Sequence, residues 1–438
     1  MVHDLAVKWK NVETGKTMAF EPGKFTRIFL RMVKQYVAYY KGYSYKFYFD
    51  EEDYPLVGSS GKVIEVRITN TEYVFRRIFN EGSLGLGESY CDGLIDVDDK
   101  YYNQFLFIFV RTVFNKQLIL RLFPGDLFRI AKSNMSQLYF SRGTPDQDMN
   151  CHYSLSDWFD SKDDSNTFYL LWLNAKYIHY SCGIWYQNTK TCEEAQINKC
   201  KFYANRLGID RNSRGKKLLD LGCGWGGFIF YMAEKFGINC KGVTLSKAQA
   251  KYIQEQIQIR KLSHLVSVEV NDIHNISGEY DYIVSIGVLE HISDYDDLYK
   301  KTAQCLDKNG SALFHSMFHR SWFYRGDPFM LKYIFIRGGT PHLKRNLKIF
   351  SKYFECVDRN DVPDLSYPKT VQCWYEKFCA KEGEIRNLLE EKSKCKDVDF
   401  CIRTFKHYLM LGYCAQTERG LVSNILLRGP REKLRNNQ

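Results

Sequence analysis

For a chain with 14 cysteines, this sequence contains no C-x-x-C pair. Thiols at that spacing build zinc ribbons and thioredoxin-type redox sites, so neither is expected, and no metal site is assigned. Scattered thiols in a chain of 438 residues are expected to be reduced, as in a cytoplasmic compartment. Long hydrophobic runs are missing as well. The most apolar window, "FLFIFV" from Phe105, meets Arg111 well short of the roughly 20 residues that a membrane-spanning helix needs. The opening stretch "MVHDLAVKWKNVETGKTM" lacks the continuous apolar segment of a secretory leader. There is no internal repeat. If the chain meets a bilayer, it is expected to do so from the side, as a peripheral protein.

What remains is an ordinary globular balance, 45% hydrophobic and 26% charged, which excludes disorder for most of the length. The length suffices for two domains or one large one, each with a core. Aromatics reach 16%, with 31 Tyr and 30 Phe, a supply suited to apolar pockets and interfaces. Lys and Arg outnumber Asp and Glu by 62 to 51, a net charge of +11. That excess favours an anionic partner, either a membrane surface or a nucleic acid, and charge alone does not choose between them.

The polar, turn-forming stretch "SRGTPDQDMN", Ser141 to Asn150, is the best linker. It separates a smaller α+β domain, residues 1–145, from a larger one, residues 150–438. In the first, "GKVIEVRITN" (Gly61–Asn70) alternates between two faces, with Ile64, Val66 and Ile68 on one and Val63, Glu65 and Arg67 on the other, as in a strand. Ahead of it Ile28, Phe29, Met32, Val33, Tyr36, Val37 and Tyr40 recur at helical spacing, with Arg27, Arg31, Lys34 and Lys41 among or beside them. Such a helix either lies on anionic lipid or turns its apolar stripe into the domain core.

Downstream the rhythm changes. "KKLLDLG" reads as a buried strand, "FIFYMAEKFG" as a helix, "INCKGVTLS" as a strand and "KAQAKYIQEQIQIRK" as a helix. "VSVEVND" and "YDYIVSIG" are strands, a helix follows around Tyr295–Leu306, and "GSALFHSM" is another strand. This alternation predicts a Rossmann-like, doubly wound parallel α/β sheet, with ligands at the carboxyl edge of its strands.

Gly222, Gly224 and Gly227 satisfy G-x-G-x-x-G after the first of these strands, a weak match to dinucleotide sites when taken alone. Two details turn the reading. Asp220 stands directly ahead of the loop, where a pyrophosphate would meet an unwelcome carboxylate. S-adenosylmethionine carries a sulfonium and an ammonium instead, and glycines let it approach the backbone closely. The second strand ends in Gly242-Val243-Thr244-Leu245-Ser246, without the acid that normally receives ribose hydroxyls. Thr244 and Gln249 offer hydrogen bonds there. Asp272, with Ile273 beside it, stands where an adenine amine and ring would find partners; the plainer reading of Asp272 is a helix cap.

On these residues the chain resembles the cyclopropane-fatty-acid synthase family, which includes the mycolic-acid methyltransferases. "HYSCGIW" (His179–Trp185), "LLDLGCGWGGF", "GVTLSKAQ", "VSIGVLEHI" and "LFHSM" follow in family order. "KYIFIRGGTPHL" and "YPKTVQCWYEKF" resemble later family segments, and "EGSLGLGESYCDGLID" (Glu81–Asp96) resembles the N-terminal domain of the full-length synthases. Two departures stand out. The family's H-Y-D-x-x-N-D-F-Y becomes "HYSLSDWFDSKDDSNTFY", with Ser154 for Asp and extra residues, and F-P-G-G becomes "FIRGG".

The resemblance implies methylene addition from S-adenosylmethionine across a cis double bond of an acyl chain in membrane phospholipid. It implies bicarbonate as base, held at Cys182, Glu290, His315 and Tyr367, with a backbone contribution from Met317. It carries cofactor contacts onto Tyr180, Ser181, Gly222, Thr244, Gln249 and Ile273, to which Asp220, Gly224 and Asp272 add themselves from the loop reading. An alkene is a poor nucleophile, so the donor must be strongly electrophilic, and the resulting carbocation must be kept from water. The last proton goes to a bound anion. Methylation of a small amine is the alternative, as is a methyl-branched lipid product. No N-P-P-Y-type or RNA-binding motif supports a nucleic-acid substrate. A homodimer is left open.

Overall fold

The computed structural model describes residues 7–10, 17–59, 61–115, 159, 162–173, 175–320, 326–335, 338–419 and 421–430. The Ser141–Asn150 linker and, of the altered segment, residues 152–158, 160 and 161 lie outside them. The chain forms two compact units. One is Met1–Gln147 with Asp327–Tyr333 and Asp397–Glu418, and the other is Asp148–Gly326 with Ile334–Lys396 and Arg419–Gln438.

In the first unit, β1 (Val7–Lys10) and β2 (Thr17–Phe20) pair antiparallel and lead into α1 (Lys24–Tyr39). A four-stranded sheet follows in the order β4-β3-β5-β6, from β3 (Tyr43–Phe49), β4 (Glu52–Asp53), β5 (Lys62–Ile68) and β6 (Ile95–Val97). β5 keeps the alternation read from its sequence: Ile64, Val66 and Ile68 are at most 1% exposed, while Val63 is 49% exposed. α1 settles between its two readings. Ile28, Phe29, Met32, Val33 and Tyr36 are all buried, so the apolar stripe faces the core and not a lipid surface. Phe29 stacks on Phe75 of α2 (Thr71–Glu81), ring centroids 4.2 Å apart.

α3 (Ser83–Cys91) precedes β6, and α4 (Tyr102–Phe114) carries the apolar window, whose Phe105, Leu106, Phe107 and Ile108 are core residues. No helix among the described residues is long and apolar enough to cross a membrane. The unit is completed by two segments far away in sequence, the helices Pro328–Tyr333 and Val398–Arg419. The second is tied in by His407, whose Nδ1 lies 2.5 Å from the Tyr102 hydroxyl, and by ion pairs of Lys406 with Asp99 and Glu418 with Arg111.

The second unit holds a seven-stranded sheet. In chain order it contributes α5 (Lys162–Leu173), α6 (Cys192–Leu207), β7 (Lys217–Leu221), α7 (Gly227–Phe236), β8 (Asn239–Thr244), α8 (Lys247–Ile259), β9 (Val266–Val270), β10 (Tyr280–Ile286), α9 (Tyr295–Cys305) and β11 (Leu306–Met317). There follow α10 (Leu343–Tyr353), β12 (Phe354–Asp361), α11 (Ser366–Ala380), α12 (Glu382–Lys392) and β13 (Val422–Pro430). The strand order is β12-β13-β11-β10-β7-β8-β9. From β11 to β9 every pairing is parallel, as the strand–helix alternation predicts. Leu218, Leu219 and Leu221 of β7 are at most 1% exposed, because a parallel strand is covered on both faces.

The sheet departs from the expected all-parallel form at one edge, where β13 runs antiparallel to both β11 and β12. This places Asn424 opposite His315 in the register.

Candidate active site

The site starts at the end of β7. Its last residues lead into a turn held by the amides of Gly222 and Cys223, which both donate to the Val243 carbonyl of β8, at 2.9 and 3.0 Å. Gly222 has φ +79°, and a Cβ there would come within 2.5 Å of Val288 Cγ2. Gly224 has φ +54° with nothing within 4 Å of a Cβ position, so its outer side is open. The turn is thus sterically committed on one flank and accessible on the other, which is what backbone contact with a ligand requires.

Asp220 lies beneath the turn, 2% exposed, and its Oδ1 has no hydrogen-bond partner. At the adjacent strand end, Thr244 donates its hydroxyl to Gln249 Oε1 at 2.8 Å, so these two predicted contacts are brought together. Asp272 caps a short turn by accepting from the His274 amide at 2.9 Å, the plainer of its two readings, and Ile273 next to it is buried. Tyr180 stands in an aromatic layer with Tyr169, Trp172 and Trp374, at centroid distances of 5.1–5.6 Å. Trp225, inside the glycine turn, joins that layer through Tyr169.

The second half of the site draws on the segment before α6, on α11, on β11 and on the short turn Leu289–His291. Cys182 is 1% exposed in the extended segment before α6. The next amide, Gly183, donates to Thr370 Oγ1 of α11 at 3.1 Å, and the Trp185 amide donates to Ser366 Oγ at 3.1 Å. Tyr367 follows Ser366 directly and packs, half-buried, against the hydrophobic cluster that includes Cys182 and Tyr203. His315 near the end of β11 is 3% exposed, and its Nδ1 lies 2.6 Å from the Tyr203 hydroxyl and 2.8 Å from Asn424 Oδ1. Glu290 Oε1 accepts from Ser316 Oγ and from the Met317 amide, each at 2.8 Å. Its Oε2 is buried without a partner.

Electrostatics follow from this burial. Burial holds the His315 imidazole down to about 3, reinforced by Lys199, so the ring is neutral. Burial pushes the Glu290 carboxyl above its ordinary range, against the Met317 amide and Ser316 hydroxyl that favour the anion. The Cys182 thiol is pushed up to about 12, again by burial, so it is no thiolate nucleophile. Asp220 is raised to about 7 by burial, with Lys199 acting in the opposite direction.

Lys199 was not expected from the sequence. It is wholly buried on α6 and donates to Ser181 Oγ at 2.7 Å, while Gln196 on the same helix donates to the Ser181 carbonyl at 2.9 Å. Tyr203, Asn424 and Thr370 were likewise absent from the expected set. A signal for Lys199 and Tyr203 does exist: Ala195, Lys199, Tyr203 and Leu207 recur at i, i+4, i+8 and i+12, all buried, which puts a lysine inside a core stripe. Asn424 carries no such signal, since only the antiparallel pairing of β13 brings it to His315.

Residues 148–421 match the family described as mycolic acid cyclopropane synthetase. The chain belongs to that family of S-adenosylmethionine-dependent methyltransferases. Cyclopropane-fatty-acyl-phospholipid synthase of Escherichia coli (strain K12) is 29% identical over 356 residues, covering 79% of this chain and 82% of that protein. Among solved structures, the cyclopropane synthase MmaA2 from Mycobacterium tuberculosis superposes with TM-score 0.55 at 23% identity, over 64% of this chain and 99% of that one. Coclaurine N-methyltransferase, bound to N-methylheliamine and SAH, gives TM-score 0.57 at 20% identity, over 78% and 98%. These structures share the fold.

The glycine turn with its open side, the unpartnered Asp220 Oδ1 and the Thr244–Gln249 pair fit the cofactor of this family. They place a buried carboxylate beneath the turn, where a cationic group would meet it.

Proposed function

We propose that this enzyme adds a methylene bridge across the cis double bond of unsaturated acyl chains in phospholipid. The observation that carries this reading is the Glu290 carboxylate. One oxygen is fixed by Ser316 and Met317, and the other is a buried acceptor with nothing to accept from. A buried orphan of this kind costs about 1–3 kcal/mol and calls for a donor. The hydroxyl of a small oxyanion such as bicarbonate answers it, without the repulsion that a fully ionised partner would bring. The phospholipid class is supported by the likeness to the Escherichia coli synthase, which extends beyond the catalytic unit.

When bound, S-adenosylmethionine supplies an electrophilic methyl group, and Asp220, Ser181, Thr244, Gln249 and the glycine turn would hold it. Bicarbonate, when bound, supplies the base for the final proton; the Cys182 amide, His315, the Tyr367 hydroxyl and Glu290 would hold it. For His315 to donate through Nε2, its Nδ1 must be the acceptor. The buried Tyr203 hydroxyl, its phenol held protonated by burial, is the donor that enforces this tautomer. Turning the Asn424 amide end for end would then give its otherwise unpartnered Nδ2 the same role.

The aromatic layer of Tyr169, Trp172, Tyr180 and Trp374 excludes water, which would trap an acyl carbocation as an alcohol. Each ring face that meets the cation adds about 0.5–2 kcal/mol. The net positive charge supports work at an anionic membrane surface from the cytoplasmic side.

The test is a mixture of purified protein, labelled S-adenosylmethionine and vesicles of unsaturated phospholipid. Acyl chains gaining one CH2, with cyclopropane signals in the proton NMR spectrum, are the expected product. Label on soluble amines alone would transfer the assignment to N-methylation.

A further inference from the structure

Lys199 has no part in the chemistry described so far, yet it is wholly buried, bonds to Ser181 and interacts with Asp220, Cys182 and His315. Its Nζ has one hydrogen-bond acceptor, Ser181 Oγ at 2.7 Å. Lys199 hydrogen-bonds to Ser181 and interacts electrostatically with Cys192 and Cys200 of α6, His179 and Cys182 of the preceding segment, Asp220 of β7 and His315 of β11. Lys199, Cys182, Cys200, Asp220 and His315 are each at most 3% exposed. Only Asp220 among them is an acid, and its Oδ1 makes no hydrogen bond. A buried ammonium is therefore balanced by a buried carboxylate that it does not touch through that oxygen.

The same carboxylate lies under the turn where a cationic donor is to be seated. Two cations and one anion cannot share so dry a space without cost.

We propose that Lys199 and Asp220 form a charge-exchange pair, in which Asp220 trades Lys199 for the cofactor's positive charge and Lys199 releases its proton to solvent. The balance is complete: one N–H bond of the ammonium breaks, the electron pair stays on Nζ, and the proton leaves with the buffer. The energetics are suitable, because burial brings Lys199 down to about 8, where an added neighbouring cation suffices to neutralise it near physiological pH. Lys199 is thus a positioning residue, which acts on Asp220 and Ser181. The inference rests on the cofactor reading and not on the identity of the lipid.

The experiment is calorimetric titration of the full-length protein with S-adenosylmethionine and, separately, with S-adenosylhomocysteine, at pH 7.5 in buffers of different ionisation enthalpy. Release approaching about one proton per site is expected with the sulfonium ligand, and less with the neutral thioether. Affinity for S-adenosylmethionine should rise with pH, toward tenfold per unit where a full proton leaves. The double variant Lys199→Met/Asp220→Asn should lose the release, whereas Cys200→Ala, which keeps both charges and every cofactor contact, should retain it. Identical heats in all buffers with the unaltered protein would overturn the proposal without needing any variant. Undiminished release from the double variant would overturn it too. Failure of either ligand to bind would instead remove the cofactor reading on which it stands.

Discussion

Glu290→Gln isolates the part of the account that is hardest to explain as ordinary packing. The amide keeps the size of the carboxylate, and its oxygen can still accept from Ser316 Oγ and the Met317 amide. What disappears is the anionic Oε2, which is buried and unpartnered. If that oxygen receives the hydroxyl of a bound anion, the loss is one charge-assisted hydrogen bond, about 1.5–3 kcal/mol. At 1.36 kcal/mol per decade this becomes a fall of about 10- to 150-fold in turnover. Cofactor affinity should stay within about twofold, since the variant leaves the glycine turn, Asp220 and Thr244 untouched. Stability should be equal or slightly higher, because the buried carboxyl is disfavoured as an anion. Turnover is read on vesicles and affinity by calorimetry with S-adenosylhomocysteine. Parallel loss of both would show that Glu290 supports the cofactor side, and undiminished turnover would remove it from the chemistry.

The other predictions follow from the same geometry. Gly222→Ala meets both a φ of +79° and a contact of 2.5 Å with Val288, so it should lower stability by about 2–4 kcal/mol, measured by denaturant unfolding. Gly224→Ala has open space around it, so it should cost only about 1 kcal/mol in the same assay while still reducing cofactor affinity about tenfold or more, because the methyl group occupies the ligand's side of the turn. Tyr203→Phe removes the donor that fixes the His315 tautomer and should reduce turnover about tenfold with little change in cofactor affinity; unchanged turnover would show the hydroxyl to be merely structural. His407 is buried in the first unit and held down to about 3, so the folded state binds fewer protons than the unfolded chain between that value and the ordinary 6.5. Its stabilising contribution is complete above 6.5 and drains away as pH falls toward 3; His407→Gln should therefore flatten stability against pH by about 1.4 kcal/mol per unit within that window.

The strand–turn–helix at Lys217–Phe236 was legible because its constraints are local: an apolar run, glycines where φ turns positive, and a helical period. β5 was legible for the same reason, its period of two surviving intact. The antiparallel edge of the large sheet was not, since β12 and β13 are joined through three intervening helices and their pairing is decided by contacts between distant segments. Nor could periodicity show that Asp327–Tyr333 and Asp397–Glu418 return to the first unit. In the site, Cys182, Glu290 and His315 came from the family resemblance, and their types alone allow duller roles. Lys199 is hard to read as a site residue because a lysine usually lies on the solvent side, and only the buried positions before and after it on α6 reveal otherwise.

The central claim is that a cationic methyl donor rests on the glycine turn beside a dry pocket built for a small anion. A crystal structure grown with S-adenosylhomocysteine and bicarbonate tests it most directly. The account predicts the cofactor against Gly222 and Gly224, and a planar anion between the Cys182 amide, His315 and Glu290 Oε2. A phosphate-bearing dinucleotide on the turn, or a chain of waters in place of the anion, would contradict it.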